Sequence, residues 1–218
     1  SLMLADDTIH TVLLAGGYRN CDFIDYQNEK TRFMFNLAAG GGAIILQKNC
    51  NENSVLEADI LTDGSFSEDV VVPVGGTKNP LTPELLAQGA YRLDVLDPKG
   101  MKVRLEEKSL NNFIKVIRSS LAKSGYSEQD IAYIAVLHMK KSAHDYVLKT
   151  LGLSSEQSIY LEHYGHIGQI DQILSLQLAL EQNKIQQGDI VTLVSAGIGY
   201  AWGAITIKWG KEERDGTN

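Results

Sequence analysis

Cysteine, long apolar runs and a basic leader are all scarce or absent in this chain, and each absence argues against a class of protein. The two cysteines, Cys21 and Cys50, are too few for a disulfide scaffold and predict free thiols in a reducing, cytoplasmic compartment. No apolar stretch reaches the roughly 18 residues that suggest a membrane-spanning helix, so no membrane partner is expected. Residues 1–7 have neither a basic start nor a cleavage-like site, so they do not predict a signal peptide.

Positive charge is also in the minority. The chain has 20 Lys and Arg against 27 Asp and Glu, a net charge of −7, which argues against a general nucleic-acid surface. Its 5 histidines are not spaced as metal ligands, and no Cys or Glu cluster accompanies them, so no metal site is expected. With 44% hydrophobic and 22% charged residues, the composition is that of an ordinary globular protein.

Apolar runs and helical repeats alternate along the chain, which predicts an α/β fold. Strands are expected at 10–15, which we predict to be buried, at 33–35 and 43–46, and at 55–61, which would extend the same sheet. Further strands are predicted at 131–137, 159–161, 190–194 and 204–209. Helices are expected from Ser109 to a cap at Gly125, over 142–151, and over 169–182, where the helix is apolar on more than one side and therefore buried.

Two histidines and a glycine-rich turn are the candidates for chemistry. His138 ends the apolar run 131–137, and His166 follows Gly165 before the apolar helix 169–182. The run 190–194 then feeds the turn Ala196-Gly197-Ile198-Gly199-Tyr200-Ala201-Trp202-Gly203. An imidazole can donate to a developing oxyanion or move a proton, and backbone N–H groups can hold the negative charge. These parts suit acyl chemistry, although a lone histidine is often structural and glycine turns are common.

The pattern resembles the C-terminal half of the ketoacyl-ACP synthase III group of the thiolase superfamily. In that family a strand ends in Pro-His-Gln-Ala-Asn, a later helix follows Gly-Asn-Thr-Ser, and a glycine loop closes with Thr-Trp-Gly. The matching segments here read Leu137-His138-Met139-Lys140-Lys141, Gly165-His166-Ile167-Gly168 and Tyr200-Ala201-Trp202-Gly203. His166 stands where the family usually has Asn, and Gln, Ala and Asn do not follow His138. Upstream, residues 33–46 resemble the family's Phe-Gly-Asp-Gly-Ala-Gly strand.

The resemblance implies a thiolase-like layered fold, α-β-α-β-α in the full protein, with mixed sheets and buried helices. Residues 1–106 would then hold the remainder of the N-terminal thiolase-like half together with an irregular insertion from residue 62, where turn signals are frequent. Residues 107–210 would form the C-terminal half, and residues 211–218 a charged tail.

The family's nucleophile is a cysteine at the start of a buried helix in the N-terminal half. That helix would precede residue 1, so we expect the chain to be a fragment truncated at its N-terminus, roughly the last two thirds of a synthase-like protein. Neither Cys21 nor Cys50 follows a strand into a buried helix, so neither is expected to be the nucleophile. The fragment alone is expected to be inactive.

By resemblance, His138 and His166 would hold the thioester carbonyl of the extender unit, each neutral imidazole donating one N–H. The N–H of Ile198, freed by Gly197 and Gly199, would supply an oxyanion-hole donor opposite the nucleophile's own N–H. Lys140 and Lys141 would dock coenzyme A phosphates or an acidic carrier protein, or would simply form a solvated helix face. His10, His144 and His163 have no matching positions and are expected to be surface or structural residues.

The resemblance therefore implies an acyltransferase that performs a decarboxylative Claisen condensation of an acyl thioester with a malonyl thioester, in fatty-acid or polyketide-type biosynthesis. Its substrates would be coenzyme A or acyl-carrier-protein thioesters, it would need no other cofactor, and it would form a homodimer when full length. The departures at His166 and after His138 leave a second interpretation open. The chain could be a non-catalytic partner subunit of a condensing pair, or an acyltransferase to an oxygen or nitrogen acceptor.

Overall fold

The structure, a computed structural model, describes residues 5–211. Within this range the strands are β1 Thr11–Tyr18, β2 Gly40–Gln47, β3 Glu52–Thr62, β4 Ile131–Val136, β5 Ile190–Gly197 and β6 Ala201–Lys211. The α-helices in the same range are α1 Pro83–Ala87, α2 Pro98–Lys123, α3 Lys141–Thr150 and α4 Asp171–Glu181. None of the helices described combines the length and the hydropathy that crossing a bilayer requires.

The strands form two sheets. The larger has the order β3-β6-β5-β4 and is mixed, because β4 runs parallel to β5 while β5–β6 and β6–β3 are antiparallel. The smaller is the antiparallel pair β1–β2, whose register aligns Leu13 with Ile45 and Gly17 with Gly41. The predicted α/β class with mixed sheets is confirmed.

The core lies on both faces of the larger sheet. On one face, Ile134 and Val136 of β4 pack with Ile117 and Leu121 of α2 and with Val147 of α3. On the other face, the alternate β4 residues Tyr133 and Ala135 pack against α4 and its following turn, where Ala179 and Ile185 are buried. Because successive side chains of a strand point to opposite faces, a strand covered on both sides is apolar throughout, as the sequence of β4 predicts.

Helix α2 is longer than predicted. It begins at Pro98 rather than near Ser109, and Asp97 caps it by accepting a hydrogen bond from the N–H of Gly100 at 3.0 Å. The Asp97-Pro98 pair, which lies in the stretch predicted to be irregular, is an N-cap followed by proline at the first helical position. Its C-terminal end agrees with prediction, since the chain leaves the helix through Gly125 at φ +81°.

Strand β3 belongs to a different sheet from the one predicted. Residues 55–61 were expected to extend the sheet of β1, but β3 pairs with β6, with Ile60 opposite Gly203 and Leu61 opposite Trp202. Ser120 of α2 ties this edge together, because its Oγ donates to the Glu57 carbonyl at 2.8 Å and lies 2.7 Å from Thr206 Oγ1. The predicted boundary at 106/107 falls inside α2.

Two short predicted strands are not strands. Residues 33–35 lie in and after the 3-10 helix Glu29–Met34, where Asn28 Oδ1 accepts from the N–H of Lys30 at 3.1 Å and starts the turn. Residues 159–161 form no ladder; instead Ser158 Oγ donates to the Ile134 carbonyl at 2.8 Å, and a side chain thus fixes the segment beside β4.

Strand β1 is exposed, whereas the apolar sequence 10–15 predicted a buried strand. The cross-strand pair Leu13 and Ile45 is 63% and 69% exposed. Within the described chain, α4 and the turn Gly168–Ile170 cover only the opposite face of β1–β2. Of the predicted tail 211–218, Lys211 ends β6 and residues 212–218 lie outside the described residues.

Candidate active site

The candidate site lies where β4 and β5 end. These strands are parallel with Val136 beside Val194, and the N–H of Leu137 continues the pairing by donating to the Val194 carbonyl at 3.0 Å. Because the carboxyl ends of adjacent parallel strands lie at one edge of a sheet, His138 and the turn after Gly197 leave the sheet on the same side. This edge is where ligands commonly bind in α/β folds.

His138 is buried at the end of β4. Its backbone N–H donates to Asp171 Oδ2 at 2.7 Å, and its ring lies 4.9 Å from the ring of Tyr160, centre to centre. Burial lowers the pKa of His138 from its ordinary value; nearby Asp171 opposes the shift and His166 adds to it. His138 therefore stays neutral near pH 7, as the predicted role requires, and burial is the main cause.

His166 is held by backbone pairing with the segment before β2. Its N–H donates to the Asn36 carbonyl at 2.9 Å, and its own carbonyl accepts from the N–H of Ala38 at 2.8 Å. Gly165 makes this approach possible, because it has φ +72° and an added Cβ would lie 2.6 Å from the Asn36 oxygen. The His166 ring lies 5.8 Å from the Tyr18 ring of β1, centre to centre, and is 21% exposed.

Asp171 joins the two histidines. It is the first residue of α4 and is 0% exposed. Its Oδ2 accepts from the His138 N–H and lies 2.6 Å from His166 Nδ1, while its Oδ1 accepts from the N–H of Ile167 at 2.7 Å. The sequence analysis missed this residue. The available signal was an acidic residue at the start of a largely apolar helix that was predicted to be buried, because such a helix buries a charge only if partners surround it.

The next residue, Gln172, was also missed. Its side chain is buried, and its Nε2 donates to the Val194 carbonyl at 2.7 Å. Val194 lies three residues before Gly197, so Gln172 fixes the start of α4 against the strand that leads into the glycine turn. The two adjacent residues Asp171 and Gln172 thus hold the ends of β4 and β5 to one helix.

The glycine turn follows the predicted position. Strand β5 ends at Gly197, β6 begins at Ala201, and Gly199 has φ +134°. Tyr200 pins the turn to Asp63 through reciprocal backbone hydrogen bonds of 2.9 and 3.2 Å. Trp202 is fully buried, and its ring lies 5.8 Å from that of Phe66, centre to centre. Ile198 remains at the exposed tip of the turn.

An open apolar cavity of about 540 Å³ adjoins α4. It separates the β1–β2 pair from strands β3, β5 and β6 of the larger sheet, and Gln169 and Gln172 supply polar groups at its α4 side. Its apolar walls include Leu14, Ile44, Ile60, Ile173, Leu193 and Ile205. The start of α4 therefore contacts both the cavity and the histidine pair.

The two predicted docking lysines, Lys140 and Lys141, are alike in exposure but differ in their contacts. Both are exposed, but Lys141 forms an ion pair with Asp145 one helical turn away and lies 5.4 Å from the centre of the Tyr160 ring. His144, in the same helix, is a structural residue: it is buried, with its ring 5.3 Å from that of Tyr160. His10 and His163 are exposed.

The cysteines lie outside α-helices. Cys21 is half-buried in the 3-10 turn after β1, and Cys50 is exposed between β2 and β3. Among residues 5–211, no group of three or more His, Cys, Asp or Glu side chains is placed to hold a metal ion.

Two family models match the chain. The model described as 3-oxoacyl-[acyl-carrier-protein (ACP)] synthase III C terminal matches residues 121–209, and the model described as 3-oxoacyl-[acyl-carrier-protein (ACP)] synthase III matches residues 1–64. The predicted resemblance is confirmed, and the chain belongs to the 3-oxoacyl-ACP synthase III family of condensing enzymes.

Relatives and solved structures agree with this assignment. The β-ketoacyl-[acyl-carrier-protein] synthase III of Symbiobacterium thermophilum is 28% identical over 191 residues, which are 86% of this chain and 55% of that protein. The corresponding protein of Aliarcobacter butzleri is 27% identical over 205 residues, 93% of this chain and 60% of that protein. The chain thus spans a little over half the length of these curated relatives.

Among solved structures, the 3-oxoacyl-(acyl carrier protein) synthase III of Pseudomonas aeruginosa superposes with a TM-score of 0.78 at 18% identity. That match covers 98% of this chain and 62% of the other. The synthase III of Thermus thermophilus also gives a TM-score of 0.78, at 21% identity, and covers 97% of this chain and 63% of that one. The predicted thiolase-like fold is confirmed.

Proposed function

We propose that this chain forms part of a ketoacyl synthase-type acyltransferase that condenses an acyl thioester with a malonyl thioester in fatty-acid or polyketide-type biosynthesis. The observation that carries the proposal is the meeting of His138 and His166 at the buried carboxylate of Asp171, at the edge where β4 and β5 end. Family membership supports it, because the matched relatives are named as β-ketoacyl-[acyl-carrier-protein] synthases.

The proposed chemistry assigns each part a task. The malonyl thioester loses carbon dioxide, the electron pair moves toward the thioester carbonyl, and the resulting carbanion equivalent attacks an enzyme-bound acyl group. His138 donates an N–H to the thioester oxygen while that oxygen carries negative charge, and His166 is the second catalytic side chain of the site. The N–H of Ile198, in the turn set by Gly197 and Gly199, holds the oxyanion of the acyl group under attack.

The nucleophile is the thiol of a cysteine outside these 218 residues, and neither Cys21 nor Cys50 serves. The apolar cavity between β1–β2 and the larger sheet supports this part of the proposal, since its walls suit the apolar surface of a buried helix that carries such a thiol. The 218-residue chain by itself is therefore inactive.

Acyl-CoA or acyl-carrier protein supplies the thioester, with no metal or further cofactor. Lys140 contributes more to docking phosphates or an acidic carrier than Lys141, because Asp145 already compensates the charge of Lys141. We further propose a homodimer in the cytoplasm, with no nucleic-acid or membrane partner.

A second function is kept because of one observation. His166 occupies the usual Asn position and contacts a carboxylate, an arrangement that suits a proton acceptor. Transfer of an acyl group to an oxygen or nitrogen acceptor needs such a base. A non-catalytic subunit of a condensing pair is the other alternative.

A chimaera tests the proposal. The N-terminal segment of the Symbiobacterium thermophilum synthase that precedes its match is joined to residues 5–218, and condensation is followed by mass spectrometry of the β-ketoacyl product. We expect product from the chimaera and none from the chain alone. His138→Ala should lower the rate at least about 10²-fold, while His163→Ala, a surface control, should not. A folded chimaera without product, or one unaffected by His138→Ala, contradicts the proposal.

A further inference from the structure

The buried carboxylate of Asp171 accepts a backbone N–H at each oxygen. Ile167 N–H donates to Oδ1 and His138 N–H donates to Oδ2, both at 2.7 Å. Hydrogen bonds from donors stabilise the ionised form of a carboxylate. Asp171 thus has the surroundings of an anion, although its side chain is fully buried.

The contact between Asp171 and His166 determines which ring nitrogen carries hydrogen. Oδ2 and Nδ1 lie 2.6 Å apart, so a proton must lie between them, because two lone pairs would repel at that distance. The two backbone donors favour the charged carboxylate, which leaves the proton on Nδ1. A neutral imidazole carries only one N–H, so Nε2 of His166 is bare and acts as an acceptor.

His138 has the opposite arrangement. Its Nδ1 is buried and has no hydrogen-bond partner among residues 5–211. A proton on that nitrogen would bury an unpaired donor, which proteins avoid more strictly than an unpaired acceptor. The N–H of neutral His138 therefore lies on Nε2.

We propose that Asp171 is a positioning residue that makes the two histidines unequal, with His138 an N–H donor at Nε2 and His166 a proton acceptor at Nε2. The proposal deepens the function proposed above and rests on it for its catalytic meaning. It replaces the expectation that both imidazoles donate to the same oxyanion.

In the acyl-loading step, the proton that the nucleophile loses is passed to the leaving thiolate, so no further reactant is needed. As the nucleophile's sulfur bonds to the acyl carbon, its S–H proton passes to Nε2 of His166. The tetrahedral intermediate expels the carrier thiolate, which takes the same proton back from Nε2 and leaves as a thiol. Asp171 stabilises the transient imidazolium through Nδ1–H, and the N–H of Ile198 holds the oxyanion of the tetrahedral intermediate. His138 stays neutral and keeps its N–H for the thioester oxygen of the malonyl unit.

Nitrogen NMR tests the proposal without any turnover. The 218-residue chain is labelled with ¹⁵N in its imidazoles, and long-range proton–nitrogen spectra are recorded at a mildly alkaline pH, where protonated and bare ring nitrogens give well-separated signals. His138→Gln and His166→Asn assign the two rings. We expect His166 with Nδ1 protonated and Nε2 bare, and His138 with the reverse pattern.

Asp171→Asn removes the negative charge and keeps the shape. We expect the preference of His166 for Nδ1–H over Nε2–H to fall at least about tenfold, the equivalent of 1.4 kcal/mol. Asp189→Asn is the matched control, because Asp189 also accepts a backbone N–H, from Gln186 at 2.7 Å, away from the site. A role limited to capping the backbone would leave the His166 tautomer unchanged.

Two results overturn the proposal: wild-type His166 with Nε2 protonated, or an unchanged His166 tautomer in a folded Asp171→Asn chain. If Asp171→Asn does not fold, the wild-type spectrum decides alone. The predicted tautomers together with an inactive chimaera would refute the proposed function and leave the placement of the protons standing. An active chimaera with the wrong tautomers would support the proposed function and refute the placement of the protons.

Discussion

His144 should make the stability of this chain depend on pH. The side chain is 3% exposed in α3, where burial, with a smaller effect from the charge of Lys141, lowers its pKa from 6.5 to about 4. An imidazolium in that position would lose its hydration without gaining a partner of sufficient strength. The folded chain therefore keeps His144 neutral over a range in which the unfolded chain takes up a proton.

The sign and size follow from these two pKa values. Between about pH 6.5 and pH 4 the unfolded chain binds more protons, so the free energy of unfolding decreases as the pH falls. The stabilising contribution of neutral His144 is fully present above the pKa of His144 in the unfolded chain. From about pH 7.5 to pH 4 the loss is about 3 kcal/mol, with a maximum slope of about 1.4 kcal/mol per pH unit. His138, whose pKa is also lowered, adds a loss of the same sign.

Urea unfolding followed by circular dichroism, repeated across this pH range, measures the effect. We expect His144→Leu, which has similar volume and does not titrate, to unfold with a shallower dependence on pH than wild type. The exposed residue His163 provides the control, since His163→Gln should leave the pH dependence unchanged. An equal slope in wild type and in His144→Leu would show that the His144 imidazole is accessible to protons in the folded chain.

Three further variants test the packing of the chain and its self-association. Gly165→Ala places a Cβ 2.6 Å from the Asn36 oxygen at φ +72°, so it should destabilise the chain by about 1–3 kcal/mol in urea. Trp202→Ala, in the fully buried core, should cost about 3–5 kcal/mol in the same assay. Replacing the exposed Leu13 and Ile45 pair with Glu and Lys should reduce self-association in sedimentation velocity, because an exposed apolar sheet face favours association.

Each of these has its own contradicting result. Gly64→Ala is the control for Gly165, because nothing lies within 4 Å of its added Cβ, and equal effects at both sites would refute the steric argument. A Trp202→Ala chain as stable as wild type would mean that Trp202 is not packed as described. A Leu13 and Ile45 double variant that sediments like wild type would place any association on another surface.

Local patterns predicted the elements but not all of their partners. The unbroken apolar run of β4 identifies a strand covered on both faces, and Gly125 marks the end of α2, since both signals depend on neighbouring residues alone. The partner of β3 could not be read locally, because any exposed strand edge accepts the same backbone hydrogen bonds. The exposure of β1 likewise depends on what covers it, and its sequence of Val, Leu and Ala carries no such information.

In the candidate site, too, local patterns predicted some residues and missed those that depend on distant contacts. His138, His166 and the glycine turn were found because they follow strands or precede a helix in the order of a known family. Asp171 and Gln172 were missed, since their importance comes from contacts across the fold: Asp171 reaches back to the end of β4 and Gln172 to β5. An acidic residue at a helix start is ordinary, and only its burial distinguishes it.

The position of β6 has a consequence for how the chain acquires its structure. This strand lies between β3 and β5 in the sheet, yet it is the last of the strands described in chain order, and Ile60 must find Gly203 across most of the sequence. Such distant pairing raises the contact order and slows folding. A ribosome-bound chain would display β3 without a neighbour until β6 emerges, so a chaperone that shields apolar strands should associate most strongly with the nascent chain during that interval.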